Sequence, residues 1–274
     1  MGRKNKRSMY AEPDITTEEM QRKGENKLEK KENVVTRGEV NNLLSVGKVG
    51  YVRLVDTLGS DLTVVNAARV SYAKESKELS EKDTRLIKFL GREDHTSPFR
   101  HAVLQFEVYA PLMVARQWWK YIIGSHHQEG IADSLNAWNE SSRRYITEEV
   151  ELYTPEAGEW RSAPENSKQG SGEPFDMDKG GTFTESLEQY QELGKRLYNS
   201  AVAQGVAVEQ ARLFLPAYGL YVRWYWTASL QSVFHFVDQR TKYDAQSEIR
   251  DYAKAVETLA KEHFPESFVA LGKK

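Results

Sequence analysis

The most regular alternation in the chain runs from Ala102 to Ala110, where Leu104, Phe106 and Val108 take turns with Gln105, Glu107 and Tyr109. A period of two sends successive side chains to opposite faces of an extended backbone, so this stretch predicts a half-buried strand. Residues 47 to 58 predict a strand as well, and residues 61 to 73 a short helix starting near Asp61. From Glu81 to Gly91 the apolar Leu86, Ile87, Phe89 and Leu90 fall at helical spacing, which predicts an amphipathic helix. Pro111 suits a first helical position, where its missing N–H is not needed, and opens a mostly buried helix reaching about Gly124.

Beyond that point residues 145 to 154 read as a further strand, and residues 157 to 183, rich in Gly, Ser, Asn, Asp and Lys, as a long surface loop. Three helices follow, over about 184 to 204, 208 to 238 with a break near Pro216 to Gly219, and 243 to 263, closed by His263-Phe264-Pro265. Residues 1 to about 45 mix both charge signs and show little apolar periodicity before Leu43-Leu44. They read as a flexible arm ahead of one folded domain over 46 to 274. Strands mixed with helices early and helices late define an α+β chain.

Composition narrows the picture. Mean hydropathy is −0.66 and no apolar run approaches the roughly 20 residues that cross a bilayer, so a membrane span is not expected. The 274 residues hold 38 Lys plus Arg against 40 Asp plus Glu. A net charge of −2 supplies no broad field to hold nucleic acid, and any anion site must be local. The absence of cysteine excludes disulfides, cysteine-ligated metals and thiolate nucleophiles, and fits a cytoplasmic protein. The basic start, Met1 to Arg7, has no apolar segment behind it and does not read as a secretory signal.

Three groups of residues carry candidate chemistry. Asn139-Glu140-Ser141-Ser142-Arg143-Arg144-Tyr145 joins guanidinium forks to hydroxyls, a combination that satisfies phosphate oxygens, although a solvated polar loop has the same composition. Arg116, Arg212, Arg223 and Arg240 interrupt apolar sequence. An isolated buried charge is too costly, so each must be paired, with Glu209, Asp238 or Glu248 for instance, or face an anionic ligand. Among the histidines, His95 and His101 flank Thr96 to Arg100, and His126 and His127 are adjacent. Neighbouring side chains point different ways, so no shared metal is expected there. Trp118-Trp119 and Trp224-Tyr225-Trp226 suit core packing or stacking on a flat ring.

Taken in order, Asn66-Ala-Ala-Arg-Val-Ser71, His95-Thr-Ser-Pro-Phe99, Ala110-Pro-Leu-Met-Val-Ala-Arg-Gln-Trp118, Asn139 to Tyr145, Ala211-Arg-Leu-Phe-Leu-Pro216 and Arg240 to Glu248 resemble flavin-dependent thymidylate synthase, the ThyX family. The resemblance spans about residues 48 to 266. It implies a ThyX-like fold: a central mixed or antiparallel sheet flanked by helices, with a helical C-terminal half. It further implies reductive methylation of dUMP to dTMP, with methylene-tetrahydrofolate as carbon donor, FAD as redox carrier and NADPH as reductant. Zero cysteines suit this route, because the unrelated classical synthase attacks the pyrimidine with a thiolate.

Residue by residue, the resemblance places Gln117, Trp118, Lys120, Glu140, Ser141, Ser142, Arg143, Arg144, Arg212 and Arg240 at dUMP-binding positions, with Ser142 and Arg144 on the phosphate. It gives Arg240 the role of favouring ionisation at N3 of dUMP, and it places His95 near flavin and folate and Ser142 among the catalytic positions. Flavin contacts fall on Ser71, Ser97, Arg100, Lys120, Tyr121, Ile122, Glu140, Ser229, Leu230, Gln231 and His235. A homotetramer with shared active sites is implied too. There Ser142, Arg144, Arg212 and Arg240 would converge within a chain or across the assembly.

The chain departs from the family at Lys120-Tyr121-Ile122, where the signature has Arg-His-Arg, and at the longer spacer 123 to 138. Lys120 keeps a cation without the bidentate fork, and the spacer offers His126 or His127 as compensation. Two other readings remain consistent with the motifs: a flavin-dependent one-carbon transferase acting on another pyrimidine nucleotide, and a non-catalytic nucleotide-binding homologue.

Overall fold

The computed structural model describes residues 42–123, 135–141, 149–165 and 170–272. Five strands, β1 (Leu43–Val46), β2 (Gly50–Leu58), β3 (Val103–Pro111), β4 (Ala137–Glu140) and β5 (Tyr221–Ser229), form one sheet in the order β1-β2-β3-β5-β4. Every neighbouring pair is antiparallel. Gly47, at φ +63°, turns the chain between β1 and β2 so that Val46 pairs with Gly50. The alternating stretch predicted as a strand is β3, which sits at the centre with Phe106 opposite Trp226 and Val108 opposite Trp224.

Around the sheet lie α1 (Asp61–Arg69), α2 (Glu81–Arg92), α3 (Leu112–Ile123), α4 (Met177–Ala203), α5 (Val208–Ala211), α6 (Leu230–Arg240), α7 (Ser247–His263) and α8 (Pro265–Leu271). Ser60 and Ser80 start α1 and α2 through capping boxes, each hydroxyl accepting a backbone N–H that the first turn leaves unpaired. Helices α3, α6 and α7 cover one face of the sheet. There Trp118 stacks on Phe236 at 4.2 Å and meets Trp224 and Trp226 edge-on at 5.4 and 5.3 Å.

Several sequence expectations are corrected. Residues 221 to 229 are the strand β5 rather than part of a helix. The run Tyr-Val-Arg-Trp-Tyr-Trp is rich in aromatic and β-branched residues, and a short apolar run of this kind has no periodicity that separates a buried strand from a helix. Helix α4 begins at Met177 instead of 184, because Asp176 accepts the Lys179 N–H at 2.8 Å and starts it inside the presumed loop. Pro111 ends β3 rather than opening α3. Pairing with β2 draws β1, Leu43–Val46, into the sheet from within the stretch read as the end of the arm. Pro265 begins α8, as its fixed φ allows at a first helical position. The polar string at 139 contributes its first residues to β4, paired with β5.

Candidate active site

Helices α3 and α6 each leave the sheet at the end of a central strand and pack on the same aromatic face. On α6 the last residue is Arg240, whose guanidinium carbon lies 4.9 Å from the centre of the Tyr121 ring on α3. The same ring tilts against His235 at 5.7 Å and meets Phe236 edge-on at 5.4 Å. Arg240 Nε is buried and has no hydrogen-bond partner among the described residues. A guanidinium held by its face on an aromatic ring keeps its N–H edges available, which suits an anionic or carbonyl-bearing ligand. Burial pushes the Tyr121 phenol up, the Arg240 charge opposes this, and Asp238 adds to it.

One helical turn earlier on α3, Gln117 donates from Nε2 to Oε1 of Gln246, just before α7. Arg116 and Lys120 on the same helix are exposed. Trp118 is wholly buried in the aromatic core, so its ring supports the site from below. Direct contacts therefore join Tyr121 to His235 and Arg240, and Gln117 to a residue at the start of α7.

The described part of the polar string is pinned to β5. Ser141 N–H donates to the Arg223 carbonyl at 2.7 Å and Arg223 N–H returns a bond to Ser141 Oγ at 3.1 Å. Beside it Glu140 faces Trp224 in the register. Desolvation pushes its carboxyl up, against the Trp138 hydrogen bond and the Arg116 charge. Ser142, Arg143, Arg144, His126 and His127 lie outside the described residues, as does the side chain of Ile122.

The flavin positions gather at the start of α6 and around it. Ser229 Oγ accepts the Ser232 N–H at 3.2 Å as the helix cap. Leu230 has its side chain fully buried and donates its N–H to the Ala102 carbonyl at 2.8 Å. Gln231 Oε1 is buried and has no partner among the described residues. Next to α6 packs the turn Ser97–His101, which also packs on α1. In it Arg100 Nη2 donates to Thr96 Oγ1 at 3.3 Å. His95, just before the turn, is exposed with its ring edge-on to Phe89 at 5.9 Å.

Ser71 sits exposed in the turn after α1. Asn66 braces the loop behind it, accepting the Ser76 N–H at 2.8 Å and donating to the Ser76 carbonyl at 2.9 Å. Two buried polar atoms, Gln231 Oε1 and Arg240 Nε, thus stand at the two ends of α6 with no protein partner among the described residues. Nine helical residues, about 14 Å, separate them, so the acceptor and the donor serve different ligands or distant parts of one.

Two of the four embedded arginines resolve otherwise. Arg223 points to the opposite face of the sheet, where its Nε donates to Tyr51 Oη at 3.1 Å and lies 3.6 Å from Glu107. Arg212 is exposed on a turn packed against α4 and donates to the Glu209 carbonyl at 3.1 Å. The residues that the sequence reading missed are Gln246, visible only in its bond to Gln117, and Asn66 as a loop brace. Among the described residues no group of three His, Asp or Glu gathers as a metal site, and no helix is long and apolar enough to cross a membrane.

An antiparallel sheet covered by helices, with Arg240 held between two of them, defines an α+β class of fold, and comparison with known proteins gives it a family. Residues 53–266 match the family model described as thymidylate synthase complementing protein, and the chain belongs to that family. It is 38% identical over 221 residues to a flavin-dependent thymidylate synthase of Wolbachia pipientis, covering 81% of this chain and 73% of that one. The same enzyme of Thermotoga neapolitana is 37% identical over 224 residues, covering 81% and 90%. A crystal structure of the UMP/dUMP methylase PolB from Streptomyces cacaoi bound with 5-Br dUMP is similar with a TM-score of 0.68 at 30% identity, covering 81% of this chain and 94% of that one.

Proposed function

We propose that the chain methylates dUMP reductively to dTMP, taking its carbon from methylene-tetrahydrofolate and its reducing equivalents from NADPH through a bound FAD. The observation that carries this reading is Arg240, buried at Nε without a protein partner among the described residues and lying over the Tyr121 ring, one helical turn from the nucleotide position Gln117, in a chain of this family. FAD when bound supplies the two-electron redox chemistry.

The residues of this chain do the rest. Arg240 holds charge against the pyrimidine edge and favours loss of the N3 proton, a role open to a group that stays cationic at every working pH. Gln117, Lys120, Glu140 and Ser141 flank the nucleotide, with Ser142, Arg143 and Arg144 completing its phosphate site. Ser229, Leu230, Gln231, His235 and Tyr121 hold the flavin, with Ser71, Ser97 and Arg100 on its other side and His95 at the flavin and folate edge. Leu230 contributes by anchoring the start of α6, its side chain buried in the core and its N–H donated to the Ala102 carbonyl. Tyr121 replaces the family imidazole with a ring that stacks on Arg240, so the Lys120-Tyr121-Ile122 variant keeps the arginine oriented.

A homotetramer with shared sites fits the surface. Phe183, Tyr190, Leu193 and Leu197 form an exposed apolar row along α4, at spacings of seven, three and four residues. A contiguous row of that kind calls for a covering surface. Arg212 lies on the turn packed against α4, where a neighbouring subunit would carry it to another chain's nucleotide.

The test is anaerobic dTMP formation from dUMP, methylene-tetrahydrofolate and NADPH, with FAD supplied and with FAD stripped. Flavin-dependent dTMP is expected, and no product from FAD-loaded tetramer overturns the reading. A parallel arm uses UMP, because another structure of the Streptomyces cacaoi methylase, 28% identical with a TM-score of 0.68, is bound with 5-Br UMP. Methylation of UMP at a rate comparable to that of dUMP would favour the broader nucleotide reading.

A further inference from the structure

Gln246 precedes α7 at φ −55° and ψ 133°, outside the helical region, and its side chain crosses to α3. There its Oε1 accepts from Gln117 Nε2, and its own Nε2 lies 3.7 Å from Met113 Sδ. On its other side stands Glu248. The Glu248 carboxylate accepts from Arg161 Nη2 at 2.7 Å and from Tyr153 Oη at 3.4 Å, both on Oε1, and from Ser247 Oγ at 3.4 Å on Oε2. Burial pushes Glu248 up, but hydrogen bonds from Arg161, from its own N–H and from the Gln246 side chain outweigh it and hold the carboxyl down.

An ionised carboxylate only accepts hydrogen bonds, whereas a glutamine amide has a donating and an accepting end. Gln246 Nε2 rests on Met113 Sδ, with the Glu248 carboxylate favouring an N–H end on that side, and this leaves Oε1 for Gln117. Gln117 must then spend an N–H on Gln246, which turns its own carbonyl oxygen the other way. Met113, Arg161, Gln246 and Glu248 also line one cleft of about 510 Å³, so a change at Gln246 has space to be absorbed.

We propose that Gln246 is a positioning residue for nucleotide recognition: seated on Met113 in the cleft it shares with Arg161 and Glu248, it sets which end of the Gln117 amide faces the nucleotide. Gln117 then presents its carbonyl oxygen on the side away from Gln246, and the group that oxygen reads on the nucleotide is an N–H or hydroxyl donor, with the second N–H left beside it. This rests on the placement of Gln117 at the nucleotide.

The experiment is a double-mutant cycle on the FAD-loaded enzyme, with the dUMP dissociation constant measured by calorimetry for wild type, Gln117→Leu, Gln246→Leu and the double variant. Each single change is expected to weaken dUMP by about 10-fold, the worth of one net hydrogen bond. The double variant is expected to bind no more weakly than either single one, because the second change removes a group the first has already released. In Gln246→Leu flavin content stays at the wild-type level, and KM for dUMP rises while kcat at saturating dUMP holds within about 2-fold.

Multiplication of the two effects to about 100-fold, or an unchanged affinity in Gln246→Leu, overturns the proposal. Unchanged affinity in Gln117→Leu overturns the placement of Gln117 itself and so is read separately. If Gln246→Leu loses its flavin or unfolds, the nearly isosteric Gln246→Met is measured in its place, since it fills the same space and offers Gln117 no amide oxygen. A loss of about 10-fold is expected again, and binding within about 3-fold of wild type counts against the proposal.

Discussion

On β5, Trp224 and Trp226 turn to one side of the sheet and are 1% and 0% exposed, whereas Arg223 and Tyr225 turn to the other, where Tyr225 is 38% exposed. The first side is closed by α3, α6 and α7 through rings that stack on one another. The second carries a ladder of polar groups in which Tyr51 donates to Glu107 at 2.5 Å, Arg53 pairs with Glu107, and Arg53 donates to Tyr225 at 3.2 Å. Both sides come from one alternating pattern, yet the candidate residues of α3 and α6 all ride on the apolar side. Dense packing leaves side chains few alternative positions, so helices seated on it hold Gln117, Tyr121 and Arg240 in fixed relation. A half-exposed ladder tolerates more rearrangement and is suited to stability and to contacts between molecules.

The contrast is tested most severely at Trp118. Trp118→Ala is expected to cost about 3–5 kcal/mol of stability and to release flavin, read by thermal unfolding and by flavin retained after gel filtration. A loss under about 1 kcal/mol would show that the aromatic side does not control the site. Next in size, Arg240→Leu is expected to leave folding intact and lower kcat by about 100- to 1,000-fold, the scale of losing one preorganised charge-stabilising group. Steady-state rates with the melting temperature as control separate that outcome from a structural one.

On the polar side the expected effect is smaller. Glu107→Gln should destabilise by about 1–3 kcal/mol, because Arg53 and Arg223 lose their shared carboxylate on a partly solvated face. Burial pushes Glu107 up, but the Tyr51 and Arg53 hydrogen bonds and the Arg53 and Arg223 charges hold it below the ordinary glutamate range. Its contribution is thus fully present above the unfolded value of about 4.3 and is lost as pH falls through the lower folded value. Melting curves of the wild type should accordingly drop across that acid range, and those of Glu107→Gln should drop less. The mildest change is Tyr121→Leu, expected to lower kcat/KM by about 2- to 5-fold through loss of the ring under Arg240, while Tyr121→Phe stays near wild type. Equal losses in both variants would assign the effect to the phenol hydroxyl.

Much of this arrangement was legible before any coordinates. β3 announced itself by alternation, because one of its faces is buried and the other is not. β5 did not: Tyr221 and Val222 are both buried at its start, and an apolar run loses the period that distinguishes strand from helix. The start of α4 was hidden for a different reason, since its first turns are polar and glycine-containing and only the Asp176 cap reveals them. Within the site, Arg240 stood out as a charge in apolar sequence, and Gln117 was reached through the family resemblance. Gln246 carried no such signal, for its partner Gln117 is 129 residues away and no local pattern encodes that contact.

By itself the sequence determined the α+β character, the central strand β3, the lack of any thiol chemistry and the ordered motifs that belong to this family. Those properties follow from residue type and near spacing, which local backbone geometry converts directly into structure. Tertiary structure alone decided that residues 221 to 229 pair with β3, that Arg223 and Arg240 face opposite sides, and that Tyr121 lies under the Arg240 guanidinium. Each depends on register and packing between segments distant in the chain, where the free energy resides in contacts that no short window of sequence contains.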